Sequence, residues 1–198
     1  MKIAHRGIRN RENTINGIQK ASMIAEMVEI DVRFNTNLDI ILCHDRADRN
    51  SEVLETLEQL CQLEEPMHLM IDIKAFGITP AILIAEHVYS IIIKYPIHLY
   101  ELCSFNEFCV KELLRLRESD TFLFNVGIIT SGISLEMFDN LKDIDFVSMD
   151  YNIICEDIVD LFHKRNKRVY AWTVNDLEMQ EYVLTKCLVD GIIFDIFD

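Results

Sequence analysis

The stretch Met27–Asp45 reads MVEIDVRFNTNLDIILCHD and combines two short apolar runs with reactive side chains. Its first run predicts a strand over Met27–Arg33, and its second predicts a shorter one over Ile40–Cys43. Side chains alternate along a strand, so Glu29 and Asp31 point to the same face. Two anions so close repel and raise each other's pKa, which favours a divalent cation between them. The alternative is an edge strand that presents acids to water, and the flanking apolar residues make it weaker.

Reactive residues also follow other predicted strands. His44 comes directly after Cys43, and His5-Arg6-Gly7 ends the first strand. Asp72 and Lys74 share one face where another strand ends. Histidine exchanges protons near neutral pH, and arginine and lysine bind anions. Taken singly, these groups also fit a turn with a capping aspartate or an ion pair, but together they suit metal-assisted cleavage of a phosphodiester.

Short β-rich runs alternate with helix-period runs from end to end. Eight main strands are predicted, with Ile40–Cys43 as an extra short one: Lys2–His5, Met27–Arg33, His68–Ile73, His98–Ser104, Phe122–Ile129, Phe146–Met149, Val169–Thr173 and Gly191–Phe194. Helices are predicted near 14–25, 52–62, 80–94, 106–117, 134–141, 155–165 and 176–186. Thr79 is predicted to cap the helix that has Pro80 at its first position, and Ser104–Glu107 fits a capping box.

This alternation predicts an α/β fold, either a (β/α)₈ TIM barrel or a doubly wound open sheet. The barrel is favoured because the reactive residues lie at the C-terminal ends of successive strands, where barrel active sites are built. The chain has 198 residues, of which 50% are hydrophobic, so we expect one domain over residues 1–198. It would be a small barrel with short loops.

Composition and net charge disfavour several classes of function. The net charge of −14 disfavours nucleic acid and anionic lipid as partners. There is no membrane-spanning apolar run and no secretory signal, so we expect a soluble, unprocessed, cytoplasmic protein. The six cysteines are expected to be reduced and buried rather than paired or bound to zinc. The basic run Lys164–Arg168 is expected to be a solvated helix end, and His68, His87, His98 and His163 to be structural or surface residues.

The motifs His5-Arg6-Gly7, Glu12-Asn13-Thr14, Glu29-Ile30-Asp31 and His44-Asp45 occur in the order typical of glycerophosphodiester phosphodiesterases, a family that the chain resembles. Later segments resemble the same family less closely: Asp72-Ile73-Lys74, Ser104-Phe105-Asn106, Ala171–Asn175 and Asp190–Asp195. The resemblance therefore covers essentially the whole chain.

The resemblance implies a role for each matching residue. His5 and His44 would be the acid/base pair, Glu29, Asp31 and Asp72 would bind one divalent ion (magnesium, calcium or manganese), Arg6 and Lys74 would contact phosphate, and Trp172 would form a wall of the substrate pocket. The chain departs from the family in two ways. Asp72 replaces the usual glutamate, and the loop Arg46–Ser51 stands where relatives usually carry an inserted subdomain.

The implied reaction is hydrolysis of a glycerophosphodiester to sn-glycerol 3-phosphate and an alcohol. A lysophospholipase D or sphingomyelinase D-like activity on a lipid such as a lysophospholipid is the alternative within the same fold. A catalytically silent barrel that binds a phosphorylated ligand is the alternative from another class. Two intact proton-transfer residues favour an enzyme. The sequence leaves the alcohol, the metal, the roles of the two histidines and the oligomeric state open.

Overall fold

The computed structural model describes residues 1–45, 54–134 and 140–197, and in it eight parallel strands close into a barrel. The barrel closes because β1 pairs with both β2 and β9. The short strand β3 is the exception, since it runs antiparallel to β2 on the rim. The strands are β1 Lys2–Ile8, β2 Met27–Phe34, β3 Ile40–Leu42, β4 His68–Ile73, β5 Leu99–Ser104, β6 Asn125–Thr130, β7 Phe146–Asp150, β8 Arg168–Trp172 and β9 Gly191–Ile196. The predicted (β/α)₈ barrel is confirmed.

Helices follow most strands and cover the barrel's outer face. They are α1 Ile15–Ser22, α2 Leu57–Cys61, α3 Thr79–Ile92, α4 Glu107–Glu118, α5 Glu156–His163 and α6 Leu177–Thr185, with 3-10 turns at Arg9–Arg11 and Tyr151–Ile153. The helix predicted at 134–141 and the loop Arg46–Ser51 fall largely or wholly outside the described residues. Within the described ranges, no helix combines the length and hydropathy needed to cross a bilayer.

Alternation along the strands produces two separate apolar cores. Outward-facing residues such as Val28, Ile30 and Ile71 pack against the helices. Inward-facing residues such as Met27 and Phe146 fill the barrel interior. Along β2 and β4 the inner-core residues Met27 and Met70 precede the acids Glu29, Asp31 and Asp72, so these acids lie nearer the C-terminal mouth.

Two predicted helix caps are wrong. Thr79 is the first residue of α3 rather than its cap, and Ile78 precedes it without a side-chain cap, although Pro80 does lie in the first turn. The cap of α4 is Asn106, whose side chain accepts hydrogen bonds from the backbone N–H groups of Phe108 and Cys109. Ser104 instead donates to the carbonyl of Ile73, because it is the buried last residue of β5.

Aromatic packing shortens one predicted strand. The run Phe122–Ile129 was predicted to be extended throughout, but β6 begins only at Asn125. Phe122 and Phe124 lie before it and pack with Tyr100 and Tyr89, at ring-centroid distances of 6.1 and 5.8 Å respectively. These rings belong to the outer core, so their hydrophobicity reflects helix packing rather than strand pairing.

Two surface predictions also need correction. Arg168 is the first residue of β8 and not part of a solvated helix end, because its guanidinium binds the buried carboxylate of Glu101 at 2.6 Å. Cys155 is exposed and Cys43 is half-buried, whereas Cys61, Cys103, Cys109 and Cys187 are buried as expected. All six thiols are free.

Candidate active site

One cavity of about 180 Å³ lies at the barrel mouth and is lined by every site residue predicted from the sequence. These residues come from the ends of different strands and the loops that follow them, as the parallel arrangement requires. They are His5, Arg6, Glu29, Asp31, His44, Asp72, Lys74 and Trp172. The cavity is therefore a single polar site assembled from distant parts of the chain.

Three buried carboxylates form the floor of this site. Glu29, Asp31 and Asp72 each offer an oxygen, and these oxygens lie within 4.8 Å of one another. Asp31 and Asp72 are direct partners in the pairing of β2 with β4, which holds the two side chains side by side. The predicted same-face arrangement of Glu29 and Asp31 is thus confirmed by the strand geometry.

The electrostatics of the three acids are unequal. Burial, followed by the charges of Asp31 and Asp72, raises the pKa of Glu29 well above its ordinary value. Burial also raises the pKa of Asp72, to about 6. Burial acts in the same direction on Asp31, but the cations of Lys74 and Arg6 outweigh it and hold the Asp31 pKa below its ordinary value. Without a further cation, the cluster therefore disfavours full ionisation.

The donor set fits a divalent cation. Carboxylate oxygens are the ligands that hard cations such as magnesium, calcium and manganese prefer. Oδ1 of Asp72 is buried without a hydrogen-bond partner among the described residues, so it retains a free acceptor at the centre of the cluster. The shorter Asp72 side chain still brings its oxygen into the group formed with Glu29 and Asp31.

Two side-chain cations border the acids. Nζ of Lys74 lies 2.8 Å from Oδ1 of Asp31 and also forms a short contact with Asp72. Nε of Arg6 lies 2.8 Å from Oδ2 of Asp31, and its Nη1 lies 3.4 Å from Glu12. Both cations line the cavity, which places them beside any anion bound there.

A hydrogen-bonded chain fixes the His5 ring. Its Nδ1 lies 2.6 Å from Oδ1 of Asp195, and Asn175 Nδ2 donates to the other Asp195 oxygen at 2.8 Å. Burial lowers the His5 pKa, and the bond to Asp195 offsets this only in part. A neutral ring that donates from Nδ1 to the carboxylate presents the lone pair of Nε2 as a proton acceptor.

His44 has a more open environment. Its side chain is 43% exposed, and its Nδ1 lies 2.9 Å from Oδ1 of Asp45. Asp45 is itself in solvent, and the hydrogen bond from His44 lowers its pKa. The two histidines therefore line one cavity but differ in burial.

The end of β1 and the loop that follows it owe their shape to unusual backbone angles. Gly7 has φ of 84°, and a β-carbon there would lie 2.9 Å from the backbone of Gly17 in α1. Arg6, at φ of 55°, turns its backbone N–H toward Glu29 Oε2 at 3.0 Å. Asn13 donates from Nδ2 to Asp31 and accepts from the Asp31 backbone N–H, both at 2.9 Å. The first two sequence motifs thus orient the acids of the third.

Two aromatic rings line the cavity beside the polar groups. The rings of Trp172 and Phe105 pack edge to face with centroids 5.7 Å apart. Sequence reasoning missed Phe105 as a lining residue, and it assigned no role to Asn13, Asn175 or Asp195. All four residues lie in the family motifs quoted above. The motifs could have identified them as candidate site residues, but they do not indicate which side chain each one contacts.

Comparison with known proteins gives a family match. The model of the glycerophosphoryl diester phosphodiesterase family matches residues 54–198. No curated protein matches the sequence.

Solved structures share the fold at low sequence identity. A glycerophosphodiester phosphodiesterase from Parabacteroides distasonis is 21% identical, with a TM-score of 0.81, and the match covers 98% of this chain and 92% of that one. An Oleispira antarctica phosphodiesterase, solved with the product sn-glycerol-3-phosphate, is 18% identical with a TM-score of 0.82, and the coverage is also 98% and 92%.

Proposed function

We propose that this chain, which belongs to the glycerophosphoryl diester phosphodiesterase family, hydrolyses glycerophosphodiesters to sn-glycerol 3-phosphate and an alcohol with the help of one divalent cation. The observation that carries the proposal is the meeting of three carboxylates, two histidines and two cations around one cavity. The product bound to the Oleispira antarctica relative supports the choice of substrate class.

Glu29, Asp31 and Asp72 would hold the cation, which is magnesium, calcium or manganese. When bound, it would polarise the phosphate and lower the pKa of the attacking hydroxyl. The three acids would hold it at the cavity floor, while Asn13 orients Asp31 through two hydrogen bonds. Loss of any one acid would weaken binding, because the remaining ligands carry too little charge.

We assign the proton acceptor to His5 and the proton donor to His44. His5 is buried, its pKa is lowered, and Asp195 holds it in the tautomer that leaves Nε2 free to accept a proton from the attacking hydroxyl. Asp195 then stabilises the imidazolium that forms. His44, in the more open position, donates its proton to the oxygen of the leaving alcohol.

Binding of the diester falls to the remaining side chains. Arg6 and Lys74 each present a positive charge at the cavity wall, where it would offset the phosphate charge. Trp172 and Phe105 supply an apolar surface beside Lys74, whose Nζ lies 5.7 Å from the Phe105 ring centroid, and the glycerol carbons would pack against it. These contacts fix the phosphate between the two histidines, and this positioning is a large part of the catalysis.

The test is release of sn-glycerol 3-phosphate from glycerophosphocholine. Wild-type protein with added magnesium, calcium or manganese should release it, and Glu29→Gln should lose at least about a hundredfold in kcat/KM because a ligand charge is gone. Glu64→Gln, on an exposed surface, is the matched control and should retain full activity. Equal rates in all three proteins would contradict the proposal.

A lipid diester is the second candidate substrate. Three apolar side chains that follow β4 and β5, Ile78 and Phe105 in loops and Phe108 in the first turn of α4, are 53%, 51% and 44% exposed. Such residues near the cavity would suit the acyl chain of a lysophospholipid. A higher kcat/KM for lysophosphatidylcholine than for glycerophosphocholine, reduced by Phe108→Ser, would favour the lipid, and the reverse order would favour the soluble diester.

A further inference from the structure

One cation near the site forms no salt bridge within the described part of the chain. Arg33 lies on β2 two residues beyond Asp31, and only 7% of its surface is exposed. Its Nε is buried without a hydrogen-bond partner, and among the described residues none forms a salt bridge with it. Lys74 contrasts with it, since that ammonium is paired with Asp31 and Asp72.

A second cavity gives this arginine access to ligands. Its volume is about 330 Å³, and it lies between the end of β2 and the loop that leads into α3. Arg33, Phe34 and Phe76 line it together with Lys74. Lys74 also lines the active-site cavity, so the two cavities adjoin at this residue.

The energetics favour an anion there. A buried charge is costly unless it is paired, and a guanidinium suits carboxylate and phosphate because two parallel N–H groups match two oxygens. The charge of Arg33 helps to lower the Asp45 pKa, but the Asp45 carboxylate is in solvent and hydrogen-bonded to His44, so it forms no salt bridge with Arg33. Two residues of strand separate Arg33 from Asp31 by about 7 Å, within reach of one substrate that spans both cavities.

We propose that Arg33 and this cavity bind an anionic group on the leaving alcohol of the diester, either a carboxylate or a phosphate. The inference rests on the proposed function. The glycerol phosphate half carries no anion besides the phosphate that is cleaved, so a second anion must belong to the alcohol. Arg33 would thus be a specificity-determining residue that selects acidic alcohols.

Glycerophosphoserine and glycerophosphoethanolamine test this directly, because they differ only by one carboxylate. We expect kcat/KM to be about tenfold higher for the serine compound in the wild type. Arg33→Met, similar in length but uncharged, should bring the ratio to about one, and Arg33→Lys should keep part of the preference. Arg165→Met, which removes a cation from the exposed turn after α5, should leave the ratio unchanged.

Calorimetric titration of phosphoserine and phosphoethanolamine, each with magnesium present, tests the site without turnover. The wild type should bind phosphoserine about tenfold more tightly, and Arg33→Met should bind the two equally. A wild-type ratio near one, or a ratio that Arg33→Met does not change, overturns the inference even if both diesters are hydrolysed. If neither diester is hydrolysed but binding still discriminates, the proposed function fails and the Arg33 site stands.

Discussion

Nδ1 of His5 lies 2.6 Å from Oδ1 of Asp195, so the last strand of the barrel orients a histidine of the first. The two strands are neighbours only because the barrel closes between β1 and β9. Asn175, in the loop after β8, fixes Asp195 with two hydrogen bonds. Its Nδ2 donates to the Asp195 carboxylate, and its Oδ1 accepts from the backbone N–H of Asp195. The orientation of His5 therefore depends on contacts 170 or more residues away in sequence.

Asp195→Asn should lower kcat by about 10²–10³-fold while KM changes little. The asparagine would no longer hold His5 in the tautomer that leaves Nε2 free, and it would no longer stabilise the charged imidazolium. The Asp195 charge raises the His5 pKa, so its loss should also move the acidic limb of the kcat/KM profile to lower pH. Initial rates between pH 4 and 9 measure both effects. Asp160→Asn is the control, and an Asp195→Asn profile that coincides with it would exclude this role.

His5→Ala and His44→Ala should each reduce kcat by about 10²–10⁴-fold, because each removes one proton-transfer group. They should differ in pH dependence, because the acidic limb of the kcat/KM profile, which reports the loss of a proton from the His5 base, should disappear only in His5→Ala. His163→Ala, at a surface pair with Asp190, is the control. Loss of the acidic limb in His44→Ala rather than in His5→Ala would reverse the assignment of acid and base.

Asp72 should make the metal-free protein lose stability as pH rises. Its pKa is raised to about 6, so its contribution is present below the unfolded pKa near 4 and is lost as pH rises through 6. In chelator, the free energy of unfolding of the wild type relative to Asp72→Asn should fall by about 2–3 kcal/mol between pH 4 and pH 8. Urea unfolding measures this difference, and parallel pH curves would show that Asp72 titrates normally.

Arg168→Met should lower the free energy of unfolding, because it removes the cation that pairs with the buried Glu101. The fully buried Glu101 keeps a lowered pKa despite its burial, because His68 and Arg168 favour its charged form. The substitution should cost about 2 kcal/mol at pH 7, a value reduced from that of a fully buried pair because Arg168 is one-third exposed. The stability that the pair provides is present above the unfolded glutamate pKa of about 4.3 and is lost as pH falls through the lowered Glu101 pKa. The loss of unfolding free energy caused by Arg168→Met should therefore be smaller at acidic pH.

Urea unfolding at pH 7 and pH 3.5 tests this prediction, with Arg165→Met as the exposed control. Addition of Glu101→Gln to Arg168→Met should restore part of the lost stability, because no unpaired charge is then left in the barrel. A cost that is identical at both pH values would mean that the ion pair does not contribute.

The fold and the acids could be predicted because they depend on local patterns. Alternation places Glu29 and Asp31 on one face whatever lies around them, and the succession of strands and helices limits the topology to two choices. The ends of strands were harder to predict. Phe122 and Phe124 are residue types typical of strands, and only their aromatic packing in the outer core shows that they lie before β6.

Pairings between distant segments could not be predicted. Arg168 ends a basic run in the sequence, and nothing local indicates that it turns inward to Glu101, 67 residues away. Likewise, Asp195 meets His5 only once the barrel closes. The same limit concealed Arg33, whose significance comes from the absence of a partner among the described residues rather than from its neighbours in the chain.

The most direct test of cation-dependent diester cleavage is a phosphorus NMR time course of glycerophosphocholine with chelator-treated protein of verified metal content. The diester signal should stay constant until magnesium, calcium or manganese is added, and should then be replaced by that of sn-glycerol 3-phosphate. Hydrolysis at the same rate before and after addition, or no hydrolysis with any of the three cations, would contradict the role assigned to Glu29, Asp31 and Asp72.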